Sequence, residues 1–252
     1  MGLLRKLLGR EPAWLSSWEV YPGEVADRLA MYNVDLGAVD AAPVGRLPLR
    51  LDVEFDYRGD GASGMPDADE LAAIHLLDDD VHRTAEALRG AVVGRVLTDN
   101  TGRITAYLPE GANPPPLSAP AGLSPRVTVT PDPAWTRVRD ELTPDAWQRN
   151  VVDDGHVVQQ LEAHGDRLSV PRQVEFLAYF PDPDRAEAAA AELRAEGFTA
   201  TFQRDDEGEY VLQAIRVDPV ELPAFHEISW LVREAVGRHD GVYDGWGSEV
   251  QT

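Results

Sequence analysis

Residues 174–202 read VEFLAYF (174–180), PDPDRAEAAAAELRAE (181–196) and GFTATF (197–202). The first piece is a short apolar run of strand length. Asp182-Pro183 supplies a helix cap and a first-turn proline, and the alanine-rich run extends to Glu196. Gly197 sits where a helix end favours a left-handed residue. Phe198–Phe202 alternates apolar and polar as a second strand, and Asp205-Asp-Glu-Gly208 turns the chain into a third over Glu209–Val217. Asp218-Pro219 or Pro223 then opens a helix with Phe225, Ile228, Val232 and Ala235 on one stripe. His239-Asp-Gly241 stops it before VYDGWG (242–247). The order β-α-β-β-α-β predicts a four-stranded antiparallel sheet with both helices on one face, the ferredoxin-like arrangement.

Upstream, Trp18–Tyr21 and Ala30–Leu36 read as strands. Leu47–Tyr57 alternates Leu49, Leu51, Val53, Phe55 and Tyr57 with charged residues, the pattern of a half-buried strand. Asp67–Arg89 carries Leu71, Ile74, Leu77, Val81, Ala85 and Leu88 at helical spacing behind an acidic start. Ala91–Thr98 and Arg103–Leu108 form a hairpin around Asp99-Asn-Thr-Gly102. Asn113–Pro125 is proline-rich and aperiodic, either an interdomain hinge or a loop within the first domain. Arg126–Thr130 is a short strand. Helices follow near Pro133–Leu142 and Asp145–His164, the second with Thr143-Pro144 as cap and first-turn proline, before Gly165-Asp166. The class is therefore α+β: an N-terminal α+β domain with a mostly antiparallel sheet over 14–150, a helical connection over 151–168, and a ferredoxin-like domain over 169–252.

The chain has 252 residues, no cysteine and a formal charge of −21. Absence of cysteine excludes disulfides and thiolate chemistry and is compatible with a cytoplasmic location. In MGLLRKLLGR (1–10), Arg5 and Lys6 interrupt the leucines, so an export signal is not expected there, nor does any stretch predict a membrane span. The acid is spread along the chain: from Ser169 onward seven basic side chains face seventeen acidic ones. Nucleic-acid binding relies on cations that replace phosphate counterions, so direct binding to nucleic acid is not expected. A basic protein surface is the better electrostatic partner.

Few motifs point to chemistry. Gly59-Asp-Gly61-Ala-Ser-Gly64 fits G-x-G-x-x-G, but the preceding strand alternates with charge and the following helix starts with Asp67, Asp69 and Glu70, which would repel a phosphate. It reads as a plain loop. His75, Asp78, Asp79 and His82 share one helix flank, a pattern that reads as a solvated edge because nothing completes a zinc set. His226-Glu227-Ile-Ser-Trp230 starts like H-E-x-x-H, with Trp230 in the second histidine's place. No catalytic residues, metal or cofactor are expected. The competing reading is a small-ligand sensor or enzyme with a site in the interdomain cleft, drawing on His75, Asp79, Arg172 or His226. In the closing cluster, Tyr243 and Trp246 are three apart and would point to opposite faces of a regular strand. A bulge at Asp244-Gly245, with Gly245 at positive φ, would bring both rings to one side, and burial of the rings to close a core is then a sufficient explanation of the cluster; the alternative is that this strand, at a sheet edge, receives another chain.

Gly165-Asp-Arg-Leu-Ser-Val-Pro-Arg-Gln-Val174, the strand to Phe180, Gly197-Phe198 and Tyr243-Asp-Gly-Trp246 together resemble the regulator of ribonuclease activity B family over about residues 169–250. That resemblance implies a ferredoxin-like fold and a non-enzymatic role, binding the non-catalytic scaffold of ribonuclease E. The first half, through Asn33-Val-Asp-Leu36, Gly64-Met-Pro66 with Glu70, Gly94-Arg-Val-Leu-Thr98 and Asp132-Pro-Ala-Trp135, is similar to a bacterial domain of unknown function, family 695. Stand-alone members of the regulator family carry acidic extensions, whereas here a whole domain precedes the module. The expected function is thus a cytoplasmic, non-enzymatic interaction protein with Tyr243, Asp244, Gly245 and Trp246 as the partner-binding residues.

Overall fold

The computed structural model describes residues 14–206 and 208–252; the basic decamer at the start lies outside them. The chain divides into two compact units, one through Asp145 and one from Ala146 to Thr252. Both are mixed helix and antiparallel sheet, as the residue pattern predicts.

The first unit is built on six strands: β1 (Trp18–Val25), β2 (Arg28–Asp35), β3 (Leu49–Asp56), β4 (Ala91–Thr98), β5 (Thr101–Leu108) and β6 (Arg126–Pro131), in the sheet order β1-β2-β4-β5-β3-β6. Two hairpins turn on two-residue loops, Ala26-Asp27 and Asp99-Asn100, with all four residues at positive φ. That geometry matches the twist of the flanking strands. β1 runs past Tyr21 because Pro22, which lacks an N–H, is tolerated on a sheet edge. Leu36 belongs to a short helix, α1 (Leu36–Ala41), rather than to the strand before it. The Asp35 carboxylate accepts from the Gly37 N–H and so starts that helix. β6 pairs with β3 over Arg126–Pro131, so 113–125 is a loop inside this unit.

Helix α2 (Ala68–Ala87) opens with a reciprocal cap between Asp67 and Glu70 and buries Ile74, Leu77, Val81 and Ala85 against Leu51, Val53, Phe55, Ile104 and Leu108. The opposite face of β3 differs from its sequence pattern. Asp52, on the charged side of the alternation, is 5% exposed, and the segment after β6 covers that side. There Trp135 is wholly buried, stacks on Tyr107 at 4.0 Å between ring centres and donates to the Leu47 carbonyl. Val138–Leu142 forms a π-helical turn whose Leu142 meets the sheet at Gly94. Arg50, Asp52, Arg137, Glu141 and Arg103 form a chain of ion pairs across this face. Asp52 is buried and Arg50 and Arg137 largely covered, with a guanidinium beside each carboxylate, while Glu141 at the end of the chain of pairs stays exposed.

The second unit starts with α3 (Ala146–Ala163), two residues after Pro144. Then come β7 (Arg172–Phe180), α4 (Pro183–Ala195), β8 (Thr199–Arg204), β9 (Tyr210–Asp218), α5 (Ala224–Arg238) and β10 (Val242–Ser248). The sheet order is β10-β7-β9-β8, every pair antiparallel, which is the ferredoxin-like order. Asp182 caps α4 with Pro183 at its first turn, Gly197 follows it at φ +87°, and Pro223 precedes α5. One face of the sheet presents Val174, Phe176, Ala178, Leu212 and Ala214 to Ala186, Ala189, Leu193, Phe225 and Val232 of the helices. Helix α3 adds Leu161 and the half-buried Val157 to this core and lies against α5 and β10.

Asp132 generates a pH prediction. Burial alone would raise its carboxyl, but the N–H of Thr136, the hydroxyls of Tyr107 and Thr136 and the N–H of Arg137 outweigh it and hold the group at about 2. A depressed carboxyl stabilises the fold above its unfolded value near 4, and that stabilisation drains as pH falls through about 2. In denaturant unfolding, the wild type should lose about 2 kcal/mol relative to Asp132→Asn between about pH 5 and pH 2. Parallel curves would show that the carboxylate is not so held.

Candidate functional site

The closing strand carries the expected residues. Tyr243 pairs with Ala178 and Gly245 with Leu177, which leaves Asp244 as the extra residue of a bulge, and Gly245 has φ +107°. The bulge turns both rings inward: Tyr243 and Trp246 pack on the core, and Trp246 lies 4.4 Å from Phe225 between ring centres. Asp244 is exposed. β10 is hydrogen-bonded to β7 and forms one edge of the sheet.

What fixes this strand is a buried carboxylate that no sequence motif marks. Asp154, on α3, is 1% exposed. Its Oδ1 accepts from Trp246 Nε1 at 2.7 Å. Its Oδ2 accepts from Ser229 Oγ at 2.5 Å and Asn150 Nδ2 at 3.0 Å, and faces His226 Nδ1 at 2.8 Å. Asn150 Nδ2 also reaches Ser229 Oγ at 2.7 Å. One carboxylate therefore joins α3, α5 and β10. Beside it Arg233 pairs with Asp153 at 2.6 Å and covers the Tyr243 ring at 4.9 Å. Burial, with the Asp154 and Asp153 charges adding to it, pushes the Tyr243 hydroxyl well above its ordinary value despite Arg233. Serine, histidine and aspartate meet here, but not as a nucleophile and its base. Ser229 and His226 both face the carboxylate, and Ser229 is wholly buried.

A second buried pair anchors the end of the chain. Arg172 meets Asp166 at 2.5 Å, with both side chains almost fully enclosed, and Asp166 also accepts from the Gln251 N–H. Arg172 donates to the Arg167 and Val170 carbonyls as well. Burial alone would raise the Asp166 carboxyl; Arg172 and the Gln251 amide outweigh that and lower it.

Most of the remaining sequence candidates have structural partners. In the glycine loop the Asp60 carboxylate accepts from the N–H groups of Ala62, Ser63 and Gly64, while Glu70 accepts from those of Arg58 and Gly59. The amides that a phosphate would need are taken by the chain's own acid. On α2, Asp78 turns to Arg95 at 3.0 Å and His82 stands against Trp18, while His75 and Asp79 are exposed. His226 lies edge-on to Trp147. Among the described residues no group of three or more His, Asp or Glu is placed to hold a metal ion, and no helix is long and apolar enough to cross a membrane.

Asn150, Asp154 and Ser229 were legible only as anomalies. Asn150 and Asp154 occupy the same stripe of α3 as Val158 and Leu161, and Ser229 follows His226 by three in the buried stripe of α5. Polar residues on an apolar stripe signal a buried network, but not its members across elements.

The second unit is thus a ferredoxin-like module whose edge strand is pinned by a buried acceptor. Residues 152–248 match the family described as regulator of ribonuclease activity B, and residues 16–114 match a family of unknown function, DUF695. Both resemblances read from the residues are found, and the first begins early enough to take in Asp154. No curated protein matches the chain.

Removing the acceptor should unlock the strand. Asp154→Ala leaves the Trp246, Ser229 and Asn150 donors without their acceptor and should destabilise the second unit by about 3 kcal/mol or more in urea unfolding. Trp246→Phe keeps most of the ring burial and loses one bond to a charged group, about 1.5–3 kcal/mol. Combined, the two changes should fall short of additive, because they remove the same interaction. Strict additivity would deny the coupling.

Proposed function

We propose that this chain is a cytoplasmic, non-enzymatic regulatory protein whose C-terminal module binds a protein partner, a ribonuclease E-type RNA-decay scaffold. The match of residues 152–248 to a family of ribonuclease regulators supports a regulatory role. The observation that carries the binding reading is the form of β10. Tyr243 and Trp246 are spent on the core, and the bulge that turns them inward leaves Asp244 exposed on a sheet edge. An edge strand with fixed geometry and an exposed carboxylate suits a partner segment that pairs with backbone and brings a cation. In this reading Tyr243, Gly245 and Trp246 shape the strand and Asp244 makes the contact. The acid excess favours a protein over RNA as the direct partner.

Asp244→Asn tests this without disturbing the fold. Stability should change by less than about 0.5 kcal/mol, since the side chain is exposed. Retention of a ribonuclease E-type scaffold in a pull-down, and the effect of the protein on that enzyme's cleavage rate, should both weaken. Undiminished retention would place the contact elsewhere. No retention by the wild type would remove the ribonuclease reading.

A further inference from the structure

The C-terminal sheet has a second face, turned away from its helices. Along β7, Glu175, Leu177 and Tyr179 alternate with the buried Val174, Phe176, Ala178 and Phe180, so they point away from the helices. The same holds on β9 for Val211, Gln213, Ile215 and Val217. Among the described residues, no helix of this unit packs on that side. The register lines up Val242, Tyr179 and Val211 in one row across three strands. Leu177 lies one register step along from this row, Ile215, opposite Glu175, two steps, and Val217, opposite Gln173, at the far end of β9; Val242 and Val217 are 67% and 61% exposed. The row ends in an open hollow of about 440 Å³ lined by Tyr179, Asp205, Asp206 and Glu209. Asp205 accepts from the N–H groups of Gly208 and Glu209, and the exposed Asp206 and Glu209 carboxylates beside the Tyr179 ring make a setting for a guanidinium, which stacks and pairs with charge at once.

Charge decides the occupant. Arg172, Arg185, Arg194, Arg216, Arg233 and Arg238 each pair with a carboxylate of the chain and Arg204, in the hairpin itself, donates to the Gly208 carbonyl, while acid exceeds base by seventeen to seven from Ser169 onward, so surplus acid is what the module shows its surroundings. A second copy would bring the same negative surface, and nucleic acid would bring more negative charge. We propose that this face docks an arginine-rich segment of a partner protein, whose apolar side chains lie along Val242, Tyr179, Val211 and Val217 and whose guanidinium enters the hollow. The inference rests on the partner-binding reading above and gives that partner its chemistry.

The probe is a twenty-residue synthetic peptide with arginine and leucine interspersed, titrated onto the full chain by fluorescence anisotropy. The peptide should bind, with affinity falling as salt rises from about 0.05 to 0.3 M. It should bind at least tenfold more weakly to Val217→Ser/Val242→Ser and to Asp206→Asn/Glu209→Gln, variants confined to exposed or rim positions, whose unchanged melting curves verify the fold. Glu227→Gln, on the exposed side of α5, should bind as the wild type does. Equal losses in Glu227→Gln would reduce the effect to diffuse charge and overturn the site. Undiminished binding by both double variants, no binding at all, or self-association abolished by Val217→Ser/Val242→Ser would overturn it too. If the peptide fails while Asp244→Asn still releases the scaffold, the edge-strand reading stands and this face is not the docking surface; if both fail, partner binding by the module falls.

Discussion

A carboxylate removed from water must be given back, by the protein, the hydrogen bonds that water supplied. Asp154 receives them from groups that lie far apart in sequence, and this requirement organises the second unit. Its partners come from its own helix, from the first turns of α5 and from the last strand, so a misplacement of any one element leaves a buried charge short of a donor. Apolar packing alone would tolerate small slides of α3 along α5; a set of directed bonds to one carboxylate does not. The same constraint explains why the chain's end is ordered. Trp246 is held at both its ring and its Nε1, and five residues later Gln251 is held by the Asp166–Arg172 pair.

The first unit meets the same problem in another way. Its sheet is covered on both faces, although one face carries charges by the logic of alternation. The cover is the Asp132–Leu142 segment. Asp132 gathers backbone and side-chain donors at its own turn, and Trp135 closes over Tyr107. Arg137 and Arg103 then reach the acids of the sheet face and of Glu141. Charged side chains on the sheet face are partly covered, and each carboxylate there meets a guanidinium. The energetic gain of such pairs is modest, but an unmatched member would be strongly unfavourable, so the arrangement fixes the position of the segment more than it adds stability.

How much of this was legible in the residues follows from the range of the forces involved. Local signals were sufficient for the ferredoxin-like module: Asp182-Pro183, Gly197, the period-two strands and the Asp244-Gly245 bulge each act within a few residues, and each is where the sequence places it. The hairpin at Asp99-Asn100 was equally readable. Strand β1 was cut short at Pro22 because a proline is admissible in a strand only when that strand lies at an edge, and edge position is a property of the whole sheet. Leu36 was assigned to a strand because its helix depends on a cap by Asp35, a residue that also serves Trp14 and Ser17 across space. The role of Asp52 and the Asp154 hub were hidden for the same reason. Periodicity reports which face a side chain takes, and it is silent on which distant segment will cover that face.

Inner and outer acid are matched differently in so acidic a chain. Asp154, Asp166, Asp132 and Asp52 are each enclosed and each met by several donors. They account for the fold, and their charge is neutralised close at hand or spread over hydrogen bonds. Asp244 lies at a strand bulge and Asp206 and Glu209 beside the β8–β9 connection, and all three side chains are exposed. Selection for stability alone has little use for such carboxylates, since exposed ion pairs contribute little and like charges repel. A surface that keeps its acid beside an uncovered apolar row, while committing arginine after arginine to internal pairs, is suited to a partner that brings the missing cations with it.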